Sequence, residues 1–405
     1  MKTADSPYNI NQASKLKNPI QTYAWGSHTD IQRLMGHPPT PEPWAELWMG
    51  AHPVAPSHVF MNNKWISLDT FIHQSPGQIL GKKTAKAYQN TLPFLFKLLA
   101  AEKPLSIQAH PDGIQAKNGF DRENLLGIAP NDPRRNYKDS RHKPECICAL
   151  TAFTGLKGFR KVDDIAAQLA LLCPENLLET MAMLRTNGLK PFFKALLTFS
   201  IAQKTAIIRE ALQNAKKHAH ENPVFEWVLT LSHYYPDDIG ILSPAVLNLF
   251  HLAPGEALFL PAGELHAYLA GFGIELMANS DNVLRGGLTP KHIDVPELLN
   301  VLNFSESTVS ILRPENVSDS EAEYPAFAEE FSLHIIHVTN TTTYASPAHR
   351  GPEILLCAQG TADLFINDPA ASIRLDAGES AFIPASAAAY TITGNARIYK
   401  AGVPA

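Results

Sequence analysis

The chain has 405 residues, 45% hydrophobic and 18% charged, a balance that builds a substantial core, gives room for two or three domains and excludes extended disorder. Its 34 basic and 39 acidic residues leave a net charge of −5, so no global positive field draws it to nucleic acid or a membrane, and any anion site must be a local cluster. No apolar run is long enough to span a bilayer, and the opening MKTADSPYNINQASKLKNPI lacks the apolar stretch of a secretion signal; the expectation is a cytoplasmic protein whose four cysteines, Cys146, Cys148, Cys173 and Cys357, are reduced and structural.

From about Asn18 to Phe153 the text reads as short strands and loops, with HVFMNNKWISL predicting a hairpin turning at Asn62-Asn63 and helix expected to be sparse. Within it KPLSIQAHPD alternates: in an extended strand Ser106, Gln108 and His110 project to one face while Ile107 and Ala109 project to the other. In SRHKPECICAL, Glu145 opens an apolar strand with His142 and Lys143 just before it. From Val162 to about Phe250, VDDIAAQLALL, PENLLETMAML, LKPFFKALLTF, AQKTAIIREALQNAKKHA and NPVFEWVLTLSHYY place apolar residues at helical spacing, with Pro174-Glu175 read as a cap, and predict an inserted helical domain. After Leu252 strands resume and run to the end, interrupted by the polar ENVSDSEAEYP, which reads as a linker.

The strand blocks repeat. PGEALFLPAGELHAY and AGESAFIPASAAAY align Gly255 with Gly378, Glu256 with Glu379 and Pro261 with Pro384, implying two similar β domains. Gly255, Pro261, Gly263 and His266 have the spacing of the second cupin motif, that of a double-sheet jelly roll whose interior often holds a metal. In the second copy Ser386 stands for Gly263 and Ala389 for His266, so that copy is expected to keep the fold and lack the metal.

Taken singly, Gln108, His110, Glu145 and His266 each read as structural, because strand histidines and polar alternation are commonplace. A jelly-roll interior would bring all four together. Two neutral imidazoles, one carboxylate and one amide oxygen leave a divalent ion net positive charge and room for another ligand; zinc fits best and iron second. Downstream, YLAGFGIELMANSDNVLRGGLTPKHID adds Glu275, Asn279, Asp281, Asn282, Arg285 and Lys291. Arg285 and Lys291 join Lys103 and Lys143 as cations suited to a phosphate or an anionic transition state.

NPIQTYAWGS, ELWMGAHP, PFLFKLLAAEKPLSIQAHPD, YKDSRHKPE and LPAGELHAYLAGFGIELMANSDNVLRGGLTPKHID together closely resemble the type I phosphomannose isomerase family, along nearly the whole chain. The resemblance implies one zinc ion per chain on Gln108, His110, Glu145 and His266, an essential Arg285, and a sugar-phosphate pocket lined by Trp25, Lys103, Ser106, Lys143, Tyr268, Glu275, Asp281 and Lys291. It implies a mainly β fold: two cupin-type jelly rolls, 1–155 with 251–314 and 315–405, around a helical domain at 156–250. The expected reaction is reversible mannose 6-phosphate to fructose 6-phosphate isomerisation through an enediol. Asp281, His142 or a zinc-bound water would carry the proton, with Arg285 stabilising the enediolate. Two rivals are a metal-dependent cupin oxygenase and a non-enzymatic sugar-binding cupin. A small sugar phosphate is the expected partner of a monomer, with no nucleic acid and no membrane.

Overall fold

The computed structural model describes residues 9–325, 328–366 and 372–404. Two large antiparallel sheet systems share the chain. The N-terminal system is centred on the long strand His266–Ala278, which pairs with Phe94–Ala101, Glu145–Ala149, Phe153–Phe159 and the short Ile107–Ala109. The other runs in spatial order from Glu315–Asn316 through Glu321–Tyr324, Ser332–Val338, Tyr390–Gly402, Glu353–Ile366 and Ser380–Ile383 to Ser14–Lys17, His58–Met61 and Lys64–Ser67. The first strand and the first hairpin thus extend the C-terminal sheet rather than the N-terminal one. That hairpin turns at Asn62 and Asn63, with φ of 49° and 59°, the left-handed pair that a tight two-residue turn demands and asparagine tolerates.

The internal repeat is visible in the backbone. Gly255 and Gly378 turn with φ of 87° and 86° before the strands Ala257–Leu260 and Ser380–Ile383. Glu256 and Glu379 each accept the N–H three residues before them, from Ala253 (3.0 Å) and Asp376 (2.9 Å). The strands His266–Ala278 and Tyr390–Gly402 follow.

Between the sheets' strands lie the helices Val162–Leu172, Leu178–Asn187, Leu189–Thr198, Ile201–His218 and Pro223–Tyr234. Ser200 and Gln203 form a capping box on the fourth, and Asn222 with Pro223 starts the fifth. Their apolar faces share one core with Ile107, Ala109, Leu265, Ala267 and Leu284, so the insertion packs behind the strands whose opposite faces line the metal cavity. A second core joins the two sheet systems directly: Phe94, Phe96, Cys148 and Ile274 of the N-terminal system pack with Tyr324, Phe331, Leu333, Phe382 and Tyr399.

Three expectations need correcting. Helix is not sparse before Phe153: Leu68–Gln74, Pro76–Ile79, Lys82–Ala87 and Gly113–Leu125 are helical. The last is started by an Asp112/Gln115 capping box, with bonds of 2.8 and 2.9 Å, directly after His110-Pro111. Pro174-Glu175 caps no helix, because the Glu210 carboxylate takes the Glu175 and Asn176 N–H groups (2.9 Å each) and holds a turn, and the helix begins at Leu178. The polar stretch near Glu315–Pro325 is no free linker; it forms edge strands, and Glu321 is buried against Lys400.

Candidate metal centre and substrate cleft

The strand Ile107–Ala109 is three residues long because Pro111 cannot continue its ladder. In that space it does what alternation predicts. Ile107 and Ala109 enter the helical core, while Gln108 lies in register with both His266 and Arg285. His110 follows the strand, and Glu145 opens the strand Glu145–Ala149. The three buried groups converge: His110 Nε2 lies 3.2 Å from Glu145 Oε1, and His266 Nε2 lies 3.4 Å from Glu145 Oε2. Their candidate ligand atoms all fall within 4.8 Å of one another, the one such cluster among the described residues.

The hydrogen bonds behind these side chains select the donor set. His110 Nδ1 donates to the Asn282 carbonyl (2.6 Å) and His266 Nδ1 to the Glu264 carbonyl (3.0 Å), so both rings turn a bare Nε2 lone pair inward. His110 Nε2 is buried with no hydrogen-bond partner among the described residues. Gln108 Nε2 donates to Ser106 Oγ (3.3 Å), which leaves its amide oxygen for the centre. Burial first, and then the Lys143 ammonium, push the His110 imidazolium down to about 4, keeping the ring neutral as a ligand must be. Burial would raise Glu145, but Lys143 and His110 outweigh it and hold the carboxyl well below its ordinary range. Two imidazole nitrogens, a carboxylate and an amide oxygen are a donor set that fits zinc with a position left open.

The cavity is small, about 60 Å³, and Ser106, Gln108, Lys143, Glu145, His266, Tyr268 and Glu275 all line it. Lys143 Nζ reaches Glu145 at 2.9 Å. Tyr268 is buried, and burial, then Glu275, raise its hydroxyl well above the ordinary range. The cavity also holds a residue the sequence reading missed. Lys97, in the fully buried strand Phe94–Ala101, is ion-paired to Glu275 (2.8 Å) and Glu46 (3.7 Å). Burial alone would lower its pKa, but those two carboxylates raise it well above the usual lysine value. A lone lysine inside the run PFLFKLLAA was the available signal, since lysine is almost never buried unpaired.

A wider cleft of about 630 Å³ carries His52, Lys138, Asp139, Arg141, His142 and Asp281 on its walls. Two loops form them and are stitched together by Asp139, which accepts Asp281 N–H (2.9 Å) and Arg141 N–H (2.9 Å), and by Asn282, which donates to the Arg141 carbonyl (2.8 Å). His52, also missed, accepts Val54 N–H at Nδ1 (3.3 Å), so its Nε2–H points to Asp281 Oδ1 (3.3 Å). Burial would raise Asp281, but His52 lowers it, helped by Lys143 and Lys97. His142 Nε2 donates to Glu330 Oε1 (2.5 Å), and that hydrogen bond raises its pKa.

The remaining expected residues lie further out. Arg285 is half-buried without an acid partner among the described residues, and its charge is the first cause that lowers Lys291, which lines a third cleft of about 730 Å³ against the helical insertion. Trp25 is half-buried, stacked on Tyr23 and packed on the cluster containing Leu105 and Tyr268. Lys103 is exposed and lines none of these three spaces.

Comparison with known proteins identifies the family. The profile of the phosphomannose isomerase type I catalytic domain matches residues 13–162, and that of the mannose-6-phosphate isomerase cupin domain matches residues 320–401. Mannose-6-phosphate isomerase of Escherichia coli K12 is 37% identical over 95% of this chain and 98% of its own length. This chain belongs to the type I phosphomannose isomerase family. The human family member is 34% identical over 91% of this chain and 92% of its own. A crystal structure of the Salmonella typhimurium enzyme bound to fructose 6-phosphate and zinc superposes with a TM-score of 0.88 at 35% identity, covering 97% of this chain and 100% of that one. No helix among the described residues is long and apolar enough to cross a membrane.

Proposed function

We infer that this chain interconverts mannose 6-phosphate and fructose 6-phosphate, with one zinc ion held by His110, Glu145, His266 and the amide oxygen of Gln108. The observation that carries this reading is the convergence of two bare imidazole nitrogens on the Glu145 carboxylate inside the cupin cavity of a type I phosphomannose isomerase fold. Bound zinc supplies a Lewis acid that polarises nearby oxygens and makes the C2 proton more acidic.

The chain's own residues do the rest. Lys291, which lines the third cleft and has no acid partner among the described residues, suits a dianionic phosphate, while Arg285 lies in register with Gln108 beside the metal centre. Asp281, oriented by His52 and kept ionised, serves as the base. It takes the proton from C2, the C2–H electrons form the C1–C2 double bond, and O1 becomes an oxyanion that Arg285 and Lys143 stabilise. A proton passes from O2 to O1, Asp281 returns its proton to C1, and C2 becomes the carbonyl carbon. His142, whose pKa the Glu330 hydrogen bond raises, is placed on the cleft wall to assist opening of the sugar ring. We propose a monomer that acts in the cytoplasm on a small sugar phosphate, independent of nucleic acid and membrane.

The test is fructose 6-phosphate formation from mannose 6-phosphate before and after chelation, with oxygen uptake measured in parallel. Activity lost with zinc and restored by it is expected. Metal-loaded protein that consumes oxygen and does not isomerise would replace this reading with an oxygenase.

A further inference from the structure

The C-terminal cupin lacks a histidine where the catalytic copy has His266, and its contribution to the reaction is not evident from its own interior. It lies at the domain junction. Phe331 is fully buried in the core that both sheet systems share, and Tyr88 of the catalytic side donates to the Glu329 carbonyl (2.8 Å). Glu330 is bracketed between these two anchors, so its backbone is fixed from both domains. Its carboxylate turns toward the cleft wall and meets His142 at 2.5 Å, only three residues before the candidate ligand Glu145. The Glu330 side chain is 12% exposed, and its second oxygen is buried with no hydrogen-bond partner. Among the described residues the carboxylate therefore depends on His142 alone. His142 is the more open partner at 39% exposure, and no protein group among the described residues bonds its Nδ1, which stays available to a substrate oxygen.

We propose that Glu330, supplied by the degenerate C-terminal cupin, is a positioning residue of the active site: it fixes the orientation of the His142 ring on the wall of the wider cleft that also carries Asp281. The inference rests on the isomerase reading above. A histidine held by one carboxylate presents one nitrogen to that carboxylate and the other, in a fixed plane, to what enters the cleft. A freely rotating ring would offer its second nitrogen over a wide arc, and catalysis loses steeply with angular error. The C-terminal domain thus serves as a rigid arm of a site whose metal it does not bind.

A double-mutant cycle tests this on the full-length, zinc-loaded enzyme, reading kcat and KM separately alongside the thermal midpoint. Glu330→Gln keeps the side-chain volume and weakens the bond to His142; kcat should fall on the order of 10- to 100-fold with zinc content unchanged. Glu330→Asp should recover part of the loss. In a His142→Gln background, Glu330→Gln should cost nothing further, because the residue it acts through is gone. Additive losses, or a Glu330→Gln variant that melts earlier but turns over normally, overturn the proposal, as does a His142→Gln enzyme of normal activity. A wild-type protein that does not isomerise mannose 6-phosphate fails the functional reading instead, so the two failures are distinguishable.

Discussion

The two jelly rolls solve one problem in opposite ways. Each buries a lysine between two glutamates: Lys97 between Glu275 and Glu46 in the catalytic copy, Lys400 between Glu321 and Glu353 in the C-terminal one. Around Lys400 the polar groups close on each other. Tyr344 accepts from the ammonium (3.1 Å), Tyr390 donates to Glu353 (2.9 Å), and Arg350 approaches the same carboxylate (3.5 Å). Around Lys97 they stop short, leaving a cavity, the unpartnered Nε2 of His110, and the Nε2 of His266 turned to the Glu145 carboxylate. A polar interior that completes its own bonds is structure; one that leaves donor atoms facing a common point is a site.

The largest expected effect comes from breaking the incomplete interior. His266→Ala makes the catalytic copy resemble the C-terminal one, where Ala389 stands at that position. Bound zinc, measured by elemental analysis, and turnover should be lost together, as after EDTA treatment, while the chain stays folded. Full activity in metal-free protein would refute the ligand assignment. A second stoichiometric zinc with ligands beyond Glu315 would refute the contrast itself.

Next come the two lysines. Lys400→Met leaves Glu321 and Glu353 without their ammonium, and removal of one partner from a buried ionic group typically costs about 3–5 kcal/mol. Denaturant unfolding should show that loss, while kcat of the folded fraction stays near wild type. Lys97→Met should lose comparable stability and also most of its turnover, because its charge faces the cavity. Equal effects of both substitutions on kcat would erase the distinction. The Glu321 carboxyl sharpens it with pH. Burial raises it, but His334 and Lys400 outweigh that and hold it at about 2. A folded value below the ordinary one stabilises above about pH 4.5 and loses that stabilisation as pH falls toward 2. Glu321→Gln should therefore flatten the acid limb of stability.

What was legible in the chain follows from how local each signal is. Gln108, His110, Glu145 and His266 could be named because strand alternation and cupin spacing are short-range patterns, and the repeat could be read from Gly255 and Gly378 because a left-handed turn needs glycine. Lys97, His52 and Glu330 were not named. Their partners, Glu275, Asp281 and His142, lie 178, 229 and 188 positions away, so only the fold makes their meaning visible. The same long range misled the reading of ENVSDSEAEYP: polar residues suggest exposure until Lys400 is seen to neutralise Glu321.

Arg285 marks another difference. Arg350 of the C-terminal copy has Glu353, whereas Arg285 has no acid partner among the described residues and stands beside Lys291. If Arg285 only grips phosphate, Arg285→Ala raises KM and spares kcat. We expect the opposite, a fall in kcat on the order of 100-fold with zinc unchanged and a smaller fall for Arg285→Lys. A preorganised charge at a developing oxyanion is costly to lose, while Lys291 shares the work on the phosphate.

The smallest effect separates the repeat's two matching turns. Gly255 and Gly378 share a φ near 87°, so alanine at either pays the left-handed penalty of roughly 1–2 kcal/mol. Their surroundings differ. A Cβ at Gly255 would meet nothing within 4 Å, whereas at Gly378 it would come within 2.8 Å of Met35 Cγ, 2.9 Å of Met35 Cα and 3.1 Å of the Leu34 carbonyl. A flexible side chain can move aside, but backbone at the end of the helix Asp30–Leu34 cannot do so without shifting that helix. Gly255→Ala should therefore show the conformational cost alone, and Gly378→Ala that cost plus about 1–3 kcal/mol of overpacking, both read from denaturant midpoints. Since Met35 belongs to the catalytic half, the excess at Gly378 measures how tightly the two halves are pressed together. Equal losses at the two glycines would mean that the contact yields, and that the second copy's turn is as free as the first's.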